Sequence, residues 1–564
     1  MVRKALALVM SATIVMSGCN SALTTVPPPT TTTVTPTTSA KVIKHVVVIF
    51  DENISFDHYF GTYPNAANLS TDSTKFTPAS TTPTNISNYV TSPALLTANP
   101  NLNAANGAGA TNPFRLSAAQ AGTGDQDHSY GPEQLAFDNS KMDLFPASVG
   151  TPDGSALTAA TGGAAITDTT GLTMGYYDGN TVTAMWNYAQ HYALNDHSFG
   201  STFGASTQGA INLVSGQTNG VASYTSGATS GVVADGQGGY TLVNDEDPTG
   251  DVCSSTSASV QMNAAGGKNI NIGDLLNTAG VTWGFFEGGF NLSVTNPGTG
   301  TNPSTTGCNR STAAVNIPGN PLKADYIPHH EPFQYYASTA NPLHLRPTST
   351  AAIGTTDQAN HQYDTIDFTN ALAAGNLPAV SFLKAPGYQD GHAGYSDPLD
   401  EQTWLVTTIN SIEESSFWSS TAIIIAYDDS DGWYDHLTDI VNGSATTADA
   451  LNGTGLCLSS TTLSGPDSNG KPVQGRCGHG PRLPLLVISP WANKNYIDNT
   501  PTDQASITRF IEDTFLSGQR LPTGSFDATA GTLNSMFNFQ NGAVVPNPNV
   551  VKLDPTTGAV TSGN

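Results

Sequence analysis

Four apolar runs along the chain end abruptly at polar side chains. The first begins at His45, ends at Phe50 and is followed directly by Asp51, Glu52 and Asn53. A strand that is buried on both faces of a parallel sheet has such a continuous apolar run. Helical patterns alternate with the runs, which predicts an α/β protein with a mainly parallel central sheet and helices on both faces. The predicted strands are 45–50, 379–383, 421–427 and 483–488, and the helical patterns are 183–192, 211–214, 365–374, 400–413 and 503–515.

Polar side chains stand at the ends of two of these predicted strands. Glu52 and Asn53 follow the first strand, and Asp428 and Asp429 follow the third. Ligands of open α/β sheets bind just beyond the carboxyl ends of the strands. Two adjacent carboxylates repel one another unless a cation lies between them, so the aspartate pair indicates a metal or substrate site. For Glu52 and Asn53 the local pattern leaves two interpretations open, a cation site or the cap of a following helix.

A serine and four histidines are further candidates for chemistry. Ser206 precedes an apolar stretch, and a hydroxyl at the start of a helix lies among free backbone N–H groups that favour a phosphoryl group. A structural N-cap serine would give the same pattern. The surrounding residues form neither a Gly-x-Ser-x-Gly nucleophile elbow nor a P-loop. Imidazoles bind metals or, as cations, phosphate oxygens. The candidate histidines are His128, His329, His330 and His392.

The N-terminal segment predicts export. Arg3 and Lys4 precede a short apolar run that ends at Cys19, as in a secretory signal peptide. Residues 16–19, Met-Ser-Gly-Cys, are similar to a bacterial lipoprotein box, so we expect a signal peptide over 1–18 and a lipid on Cys19. The alternative is an ordinary signal peptide and a periplasmic or secreted product. The rest of the chain is predicted to comprise a Thr/Pro-rich tether over 19–40, one globular domain over 41–522 with insertions near 65–123 and 219–312, and an irregular tail over 523–564.

The chain is strongly acidic, since 19 Lys and Arg stand against 44 Asp and Glu and give a formal charge of −25 at pH 7. This charge argues against nucleic-acid binding, which requires basic patches. A phosphate site would therefore need local positive charge from a metal ion or protonated histidines. Four cysteines follow Cys19, which suggests two disulfides in an exported chain. Of the three possible pairings we predict the neighbouring one, Cys253 with Cys308 and Cys457 with Cys477.

Three motifs resemble signatures of the bacterial phosphoesterase family, which contains secreted phospholipases C and bacterial acid phosphatases. Residues 52–61 read Glu-Asn-Ile-Ser-Phe-Asp-His-Tyr-Phe-Gly, and residues 427–436 read Tyr-Asp-Asp-Ser-Asp-Gly-Trp-Tyr-Asp-His. The third motif begins with Gly-His-Gly-Pro-Arg-Leu-Pro at 478–484 and ends with Ile-Ser-Pro at 488–490. The matches follow in order from about residue 44 to about residue 515. The resemblance implies the three-layer α/β/α sandwich of the alkaline-phosphatase superfamily.

The resemblance also implies roles for individual residues, at the positions that match. Ser206 falls at the nucleophile, with Thr207 as the alternative if the alignment is displaced by one position. His128, His329, His330 and His392 fall where the phosphatase branch contacts phosphate. One or more divalent metal ions would be held by Glu52, Asn53, Ser206, Asp428 and Asp429. Oxygen ligands suit Ca²⁺, Mg²⁺ or Mn²⁺, and a nearby histidine would admit Zn²⁺.

Three functional hypotheses follow. The first is an exported, metal-dependent acid phosphatase that hydrolyses phosphomonoesters through a phosphoserine, because the serine at 206 departs from the threonine context of the phospholipase branch. The second is a phospholipase C that cleaves phosphatidylcholine-like lipids, whose choline would require an aromatic cage. The third, from another class, is an inactive surface-tethered binding protein. Besides the phosphate-ester substrate, a membrane is expected as a partner only through the lipid anchor. The aromatic residues available for a cage are Trp283, Phe285, Phe286, Tyr335 and Tyr336.

Overall fold

A computed structural model gives the fold of the chain. The residues that it describes are 38–150, 169–235, 239–262, 270–300, 302–314, 316–317, 319–439, 475–522, 524–539, 545 and 550–563. The predicted signal peptide, Cys19, most of the tether and Cys457 lie outside these residues. Within the described ranges, no helix combines the length and the apolar character needed to cross a membrane.

An eight-stranded sheet forms the centre of the fold. Its strands are β1 (His45–Asp51), β2 (Ala193–Asn195), β3 (Trp283–Glu287), β4 (Gln362–Asp364), β5 (Val380–Lys384), β6 (Thr421–Tyr427), β7 (Leu485–Ile488) and β8 (Tyr496–Asp498). In space they follow the order β4-β3-β5-β1-β6-β7-β2-β8. Only the two pairs that involve β7 are antiparallel, so the predicted α/β class with a mainly parallel sheet is confirmed.

The apolar runs predicted from the sequence occupy the middle of this sheet because they are covered on both faces. Val46, Val47, Val48 and Ile49 of β1 are fully buried, and Phe50 is almost so. On one side β1 pairs in parallel with β5, and on the other with β6. The carboxyl ends of three neighbouring parallel strands therefore meet at one edge of the sheet.

The part of the chain that the structure describes contains ten α-helices. They are α1 (Thr38–Val42), α2 (Phe56–Phe60), α3 (Tyr130–Phe137), α4 (Phe145–Ser148), α5 (Thr183–His191), α6 (Ser206–Ser215), α7 (Ile272–Ala279), α8 (Thr365–Ala373), α9 (Pro398–Glu414) and α10 (Gln504–Phe515). The long helices start where the sequence supplies caps: Asp397 accepts hydrogen bonds at the start of α9, and Asp503 does so at α10.

Short ladders complete the described secondary structure. One three-stranded sheet joins Val221–Tyr224, Ser259–Met262 and Asp247–Pro248. Six two-stranded ladders pair Phe114–Arg115 with Gly175–Tyr176, Ser198–Phe199 with Thr502–Asp503, Val232–Ala234 with Tyr240–Leu242, Thr295–Asn296 with Thr305–Thr306, Ser311–Ala313 with Leu322–Ala324, and Lys552–Leu553 with Val560–Ser562. The last ladder lies in the segment predicted as an irregular tail, and Leu553 is buried there against the core.

Four strands of the central sheet were not predicted. β2, β4 and β8 have three residues each, too few to show a period. β3 lies within the stretch near 219–312 that composition marked as an insertion, yet its five residues are all buried between β4 and β5. The surrounding Gly- and Ser-rich residues hid a core strand because composition averages over a window longer than the strand itself.

One predicted disulfide is confirmed. Cys253 and Cys308 form a disulfide with an S–S distance of 2.01 Å, and the two residues are 55 positions apart in the sequence. The predicted partner of Cys477, Cys457, lies outside the described residues.

Candidate active site

The site begins where β1 and β6 end side by side. Asp51 is in register with Tyr427, so Glu52 and Asn53 emerge opposite Asp428 and Asp429. Backbone hydrogen bonds fix this arrangement, since the Asp428 N–H donates to Asp51 O (3.2 Å) and the Ile54 N–H donates to Asp429 O (2.9 Å). The four predicted metal ligands that follow β1 and β6 therefore converge at one edge of the sheet, and each is at most 3% exposed.

The alternative role of Glu52 and Asn53 as helix caps is not what the structure shows. The following helix, α2, is capped by Ser55, whose hydroxyl accepts a hydrogen bond from the His58 N–H at 3.2 Å. Glu52 and Asn53 lie before that cap. Their side chains face Ser206, Lys384 and His128 instead of the helix end.

Ser206 reaches the site because α6 runs close under the end of β6. A Cβ added to Gly209 would lie only 2.1 Å from Asp428 O, so glycine permits this approach. Ser206 is the first residue of α6, and Ala205 holds the extended N-cap position. The Ser206 hydroxyl oxygen lies 3.1 Å from Asp429 Oδ2 and 3.3 Å from Glu52 Oε2.

Thr207, the alternative nucleophile, is engaged elsewhere. Its hydroxyl donates to Asp245 Oδ1 at 2.8 Å, and its backbone N–H donates to the same oxygen at 2.9 Å. This bonding ties the start of α6 to the loop that carries Asp245. Ser206, and not its neighbour, faces the carboxylates of the sheet edge.

The donor set fits a divalent cation. Asn53 Oδ1 is buried and has no hydrogen-bond partner among the described residues, although buried amide oxygens are normally satisfied. Burial and the charge of Asp428 raise the pKa of Glu52 well above its usual value, against the opposing effect of Lys384. Burial likewise raises the pKa of Asp429 to about 8, with His128 opposing and Asp428 adding to the effect. A cation among these oxygens would favour their ionised forms.

His128 supplies positive charge beside the candidate nucleophile. Its Nε2 lies 3.4 Å from Asn53 Nδ2 and 4.0 Å from Asp429 Oδ2, while its Nδ1 lies 2.7 Å from Gln126 O. Burial alone would lower the pKa of this imidazole, but Asp429 and the other surrounding aspartates raise it well above the usual value. His128 is therefore positioned as a cationic hydrogen-bond donor next to Ser206.

Of the other three histidines, only His330 contacts the same carboxylates. His330 Nδ1 lies 3.2 Å from Glu52 Oε1, and the His392 ring is 5.9 Å from that of His128 between centroids. Burial, Lys384 and His329 lower the pKa of His330, and burial, His128 and Lys323 lower that of His392. His329 is half-buried and stacks edge-on against His330 at 4.6 Å. Its ring nitrogens face Asp247 (3.5 Å) and Asp245 (4.0 Å), not Ser206.

The sequence analysis missed a buried lysine in this site. Lys384 is the last residue of β5, 1% exposed, and its ammonium contacts Glu52 Oε1 and lies 3.4 Å from Asp428 Oδ2. The only signal in the sequence was a charged residue directly after an apolar strand. Asp390, whose pKa burial raises to about 8 despite Lys384, was also missed.

A second polar cluster includes Asp57 of α2. The Arg482 guanidinium donates to Asp57 Oδ1 (2.9 Å) and to both carboxylate oxygens of Asp435 (3.0 and 3.1 Å). His436 Nδ1 lies 2.6 Å from Asp57 Oδ2. We call Asp57, Asp435, His436 and Arg482 the arginine cluster. Its members come from all three motifs, two of which also supply the site, and they tie α2 to the segments after β6 and before β7.

Comparison with known proteins agrees with the motifs. A model of the phosphoesterase family matches residues 43–516. The chain is 31% identical over 188 residues to the non-hemolytic phospholipase C of Pseudomonas aeruginosa, covering 31% of this chain and 26% of that protein. It is 32% identical over 179 residues to the protein of the same name from Burkholderia pseudomallei (30% and 24% covered) and 26% identical over 186 residues to phospholipase C A of Mycobacterium tuberculosis (33% and 34%). The aligned segments thus span about a quarter to a third of these relatives.

Proposed function

Because this chain belongs to the phosphoesterase family, we propose that it is a metal-dependent hydrolase of phosphoric esters with Ser206 as its nucleophile. The observation that carries the proposal is the position of the Ser206 hydroxyl, 3.1 Å from Asp429 Oδ2 and 3.3 Å from Glu52 Oε2. A hydroxyl between two buried carboxylates, beside an unpartnered amide oxygen of Asn53, is arranged to share a cation with them.

The proposed reaction proceeds in two displacements. A bound divalent ion would supply Lewis acidity, lowering the pKa of the Ser206 hydroxyl and offsetting phosphate charge. As Asp429 Oδ2 accepts the hydroxyl proton, Ser206 Oγ forms a bond to phosphorus and the bond from phosphorus to the leaving oxygen breaks. Water then attacks the phosphoserine, the bond between Oγ and phosphorus breaks, and Ser206 regains a proton.

Positive groups of the chain would stabilise the charge that develops on phosphorus oxygens. His128, held cationic by its aspartate neighbours, is proposed to donate to a nonbridging oxygen. His329, His330 and His392 are proposed to complete the phosphate-binding wall, and a protonated imidazole among the four would protonate the leaving oxygen. Such local positive charge would offset the repulsion between an anionic substrate and a chain of formal charge −25.

For the substrate we propose first a phosphodiester, cleaved in the manner of a phospholipase C. The support is that the curated relatives from three bacteria carry this name and match the chain at 26–32% identity. This replaces our initial preference for a phosphomonoester, which rested on the serine at position 206.

A phosphomonoester remains the second candidate, because the aromatic residues considered for a choline cage are not available. Each is at most 1% exposed, and they pack within the hydrophobic core. Trp283, for example, stacks on His361 at 4.4 Å. Choline recognition by these side chains would require the core to open. The five residues are Trp283, Phe285, Phe286, Tyr335 and Tyr336.

A side-by-side assay decides between the two substrates. p-Nitrophenylphosphorylcholine reports diester cleavage and p-nitrophenyl phosphate reports monoester cleavage, with the protein loaded separately with Ca²⁺, Mg²⁺, Mn²⁺ and Zn²⁺. We expect faster turnover of the diester, and loss of turnover on both in Ser206→Ala. Thr207→Val is the matched control, since Thr207 bonds to Asp245 and not to the site. Failure of loaded, folded protein on both esters would favour the inactive binding protein.

Three finer assignments belong to the same proposal. We propose that helices cover both faces of the sheet as in the alkaline-phosphatase superfamily, and that residues 41–522 form the catalytic domain. We also propose export with a lipid on Cys19. Cys19→Ala should then release the protein from the membrane fraction of a bacterial host, whereas unchanged fractionation would favour an ordinary signal peptide.

A further inference from the structure

Lys384 occupies an unusual position for a lysine. It ends the central strand β5, is 1% exposed, and directs its ammonium at two of the proposed metal ligands, Glu52 and Asp428. The ammonium faces the carboxylates of Glu52 and Asp428 and lies 5.7 Å from the centre of the Phe50 ring. The side chain therefore places a buried positive charge beside these two carboxylates.

The surroundings of this ammonium have the composition of a metal site. Ligand atoms of Glu52, His330 and Asp390 lie within 4.8 Å of one another, and all three residues are buried. Glu52 Oε1 belongs to this group, lies 3.2 Å from His330 Nδ1 and also contacts Lys384 Nζ. A histidine ring nitrogen is also a common metal ligand.

The ammonium of Lys384 distinguishes this group of side chains from the proposed metal site beside it. Glu52 and Asp428 face Lys384 with one carboxylate edge, while Ser206 and Asp429 lie on the other side of Glu52. Sites that take two divalent ions a few ångströms apart share bridging carboxylates in this way. Here one of the two positions is filled by a cation that belongs to the chain.

We propose that Lys384 is a built-in substitute for a second divalent ion, which holds Glu52 and Asp428 in place and restricts the site to a single metal. The inference rests on the proposed metal site of Glu52, Asn53, Ser206, Asp428 and Asp429. Lys384 acts through those ligands and is a positioning residue, not a catalytic one. Its removal should free a position among Glu52, His330, Asp390 and Asp428 that a metal ion can take.

The test counts bound ions and does not depend on turnover. Wild type and Lys384→Ala are equilibrated with Mn²⁺, freed of excess ion by dialysis, and analysed for metal per chain. We expect one ion in wild type and two in Lys384→Ala, with the spin coupling between neighbouring Mn²⁺ ions visible by electron paramagnetic resonance only in the variant. Two ions in wild type, or one in both proteins, would overturn the inference.

Two further variants guard against a merely structural effect. Lys323 is a second cation near the site, but its ammonium lies 4.6 Å from the centre of the Tyr395 ring, so Lys323→Ala should still bind one ion. Lys384→Gln keeps part of the buried stem and offers an amide oxygen, and it should bind two ions even if the alanine variant does not fold. One ion in Lys384→Gln would count against the proposal. If wild type binds one ion but hydrolyses neither ester, the proposed function fails while the ion counts still decide the role of Lys384.

Discussion

Two clusters of buried carboxylates lie near the start of α2, and they differ in the groups that neutralise their negative charge. In the arginine cluster every carboxylate oxygen of Asp57 and Asp435 accepts a hydrogen bond, from Arg482, His436 or a backbone N–H. Burial raises the pKa of a carboxyl, yet His436 and Arg482 bring that of Asp57 below its usual value. This cluster is complete with the groups that the chain itself provides.

The cluster at Ser206 is incomplete in positive charge and not in hydrogen bonds, because each carboxylate oxygen of Glu52, Asp428 and Asp429 also accepts one. Glu52, Asp428 and Asp429 share one buried lysine and the more distant His128, Asn53 Oδ1 has no partner among the described residues, and the pKa values of Glu52 and Asp429 are raised. Buried charges are tolerated when paired, and unpaired ones are costly. The difference separates two parts of one sequence motif, because residues 52–53 belong to the cluster at Ser206 and Asp57 belongs to the arginine cluster.

The largest effect on turnover is expected when the Ser206 hydroxyl is removed from the incomplete cluster. Ser206→Ala should lower kcat by roughly 10⁴-fold or more, because the first displacement has no other nucleophile. The melting temperature should stay close to that of wild type, since the change removes one oxygen from an under-paired site. Turnover is measured with both chromogenic esters, and a variant that retains a tenth of wild-type kcat would exclude Ser206 as the nucleophile.

Disruption of the complete cluster should act on stability first. Arg482→Met leaves Asp57 and Asp435 buried without their cation, which we expect to lower the free energy of unfolding by about 3–5 kcal/mol. Arg482→Lys retains the charge but not the forked geometry, so its free energy of unfolding should lie between those of wild type and Arg482→Met. Urea denaturation measures the effect. A stability like that of wild type in Arg482→Met, with reduced turnover, would place the arginine cluster in the reaction instead of the scaffold.

Removal of the metal ion should destabilise the fold through the cluster at Ser206 and not through the arginine cluster. The expected loss of stability is intermediate in size. An ion present at 100 times its dissociation constant stabilises the folded chain by about 2.7 kcal/mol, so a chelator should remove that amount. The loss should be absent in Asp428→Asn/Asp429→Asn, which lacks two of the proposed ligands, and undiminished in Arg482→Lys. The melting temperature with and without chelator gives the comparison. Equal shifts in wild type and the double variant would mean that the ion binds elsewhere.

Sequence patterns predicted the incomplete cluster better than the complete one. Glu52, Asn53, Asp428 and Asp429 follow strand-like runs, and parallel strands bring their carboxyl ends together whatever the rest of the chain does. Arg482 and Asp57 are 425 residues apart and meet only because α2 packs beside the segment before β7. No local pattern encodes that pairing.

The positions of individual side chains depended even more on tertiary packing. Ser206 and not Thr207 faces Asp429 because α6 approaches Asp428 at Gly209 and because Thr207 is bonded to Asp245. Lys384 was hidden because a lysine after a strand is normally at the surface, whereas here β5 lies between β1 and β3 and its last residue is buried. Periodicity finds elements, whereas partners across elements require the fold.

A third buried carboxylate shows what happens with neither metal nor arginine. Glu413 on α9 is 3% exposed and accepts a hydrogen bond from the Tyr192 hydroxyl at 2.6 Å. Burial raises its pKa to about 7, even though Tyr192 and Lys552 act in the opposite direction. Because of this raised pKa, the carboxyl is protonated and neutral over much of the acidic range.

The smallest predicted effect follows from this raised pKa. Since the folded value of about 7 exceeds the unfolded value of about 4.3, the contribution of Glu413 to stability is full below pH 4.3 and is lost as the pH rises towards 7. Glu413→Gln cannot ionise, so its stability relative to wild type should increase by about 1–3 kcal/mol between pH 4.5 and pH 7.5. Urea denaturation at both pH values measures the change. Glu414→Gln is the matched control, because the neighbouring side chain is 70% exposed and should leave the pH dependence as in wild type. A parallel pH profile for Glu413→Gln and wild type would show that the buried carboxyl is ionised at neutral pH, and that Lys552 neutralises it as Arg482 neutralises Asp57.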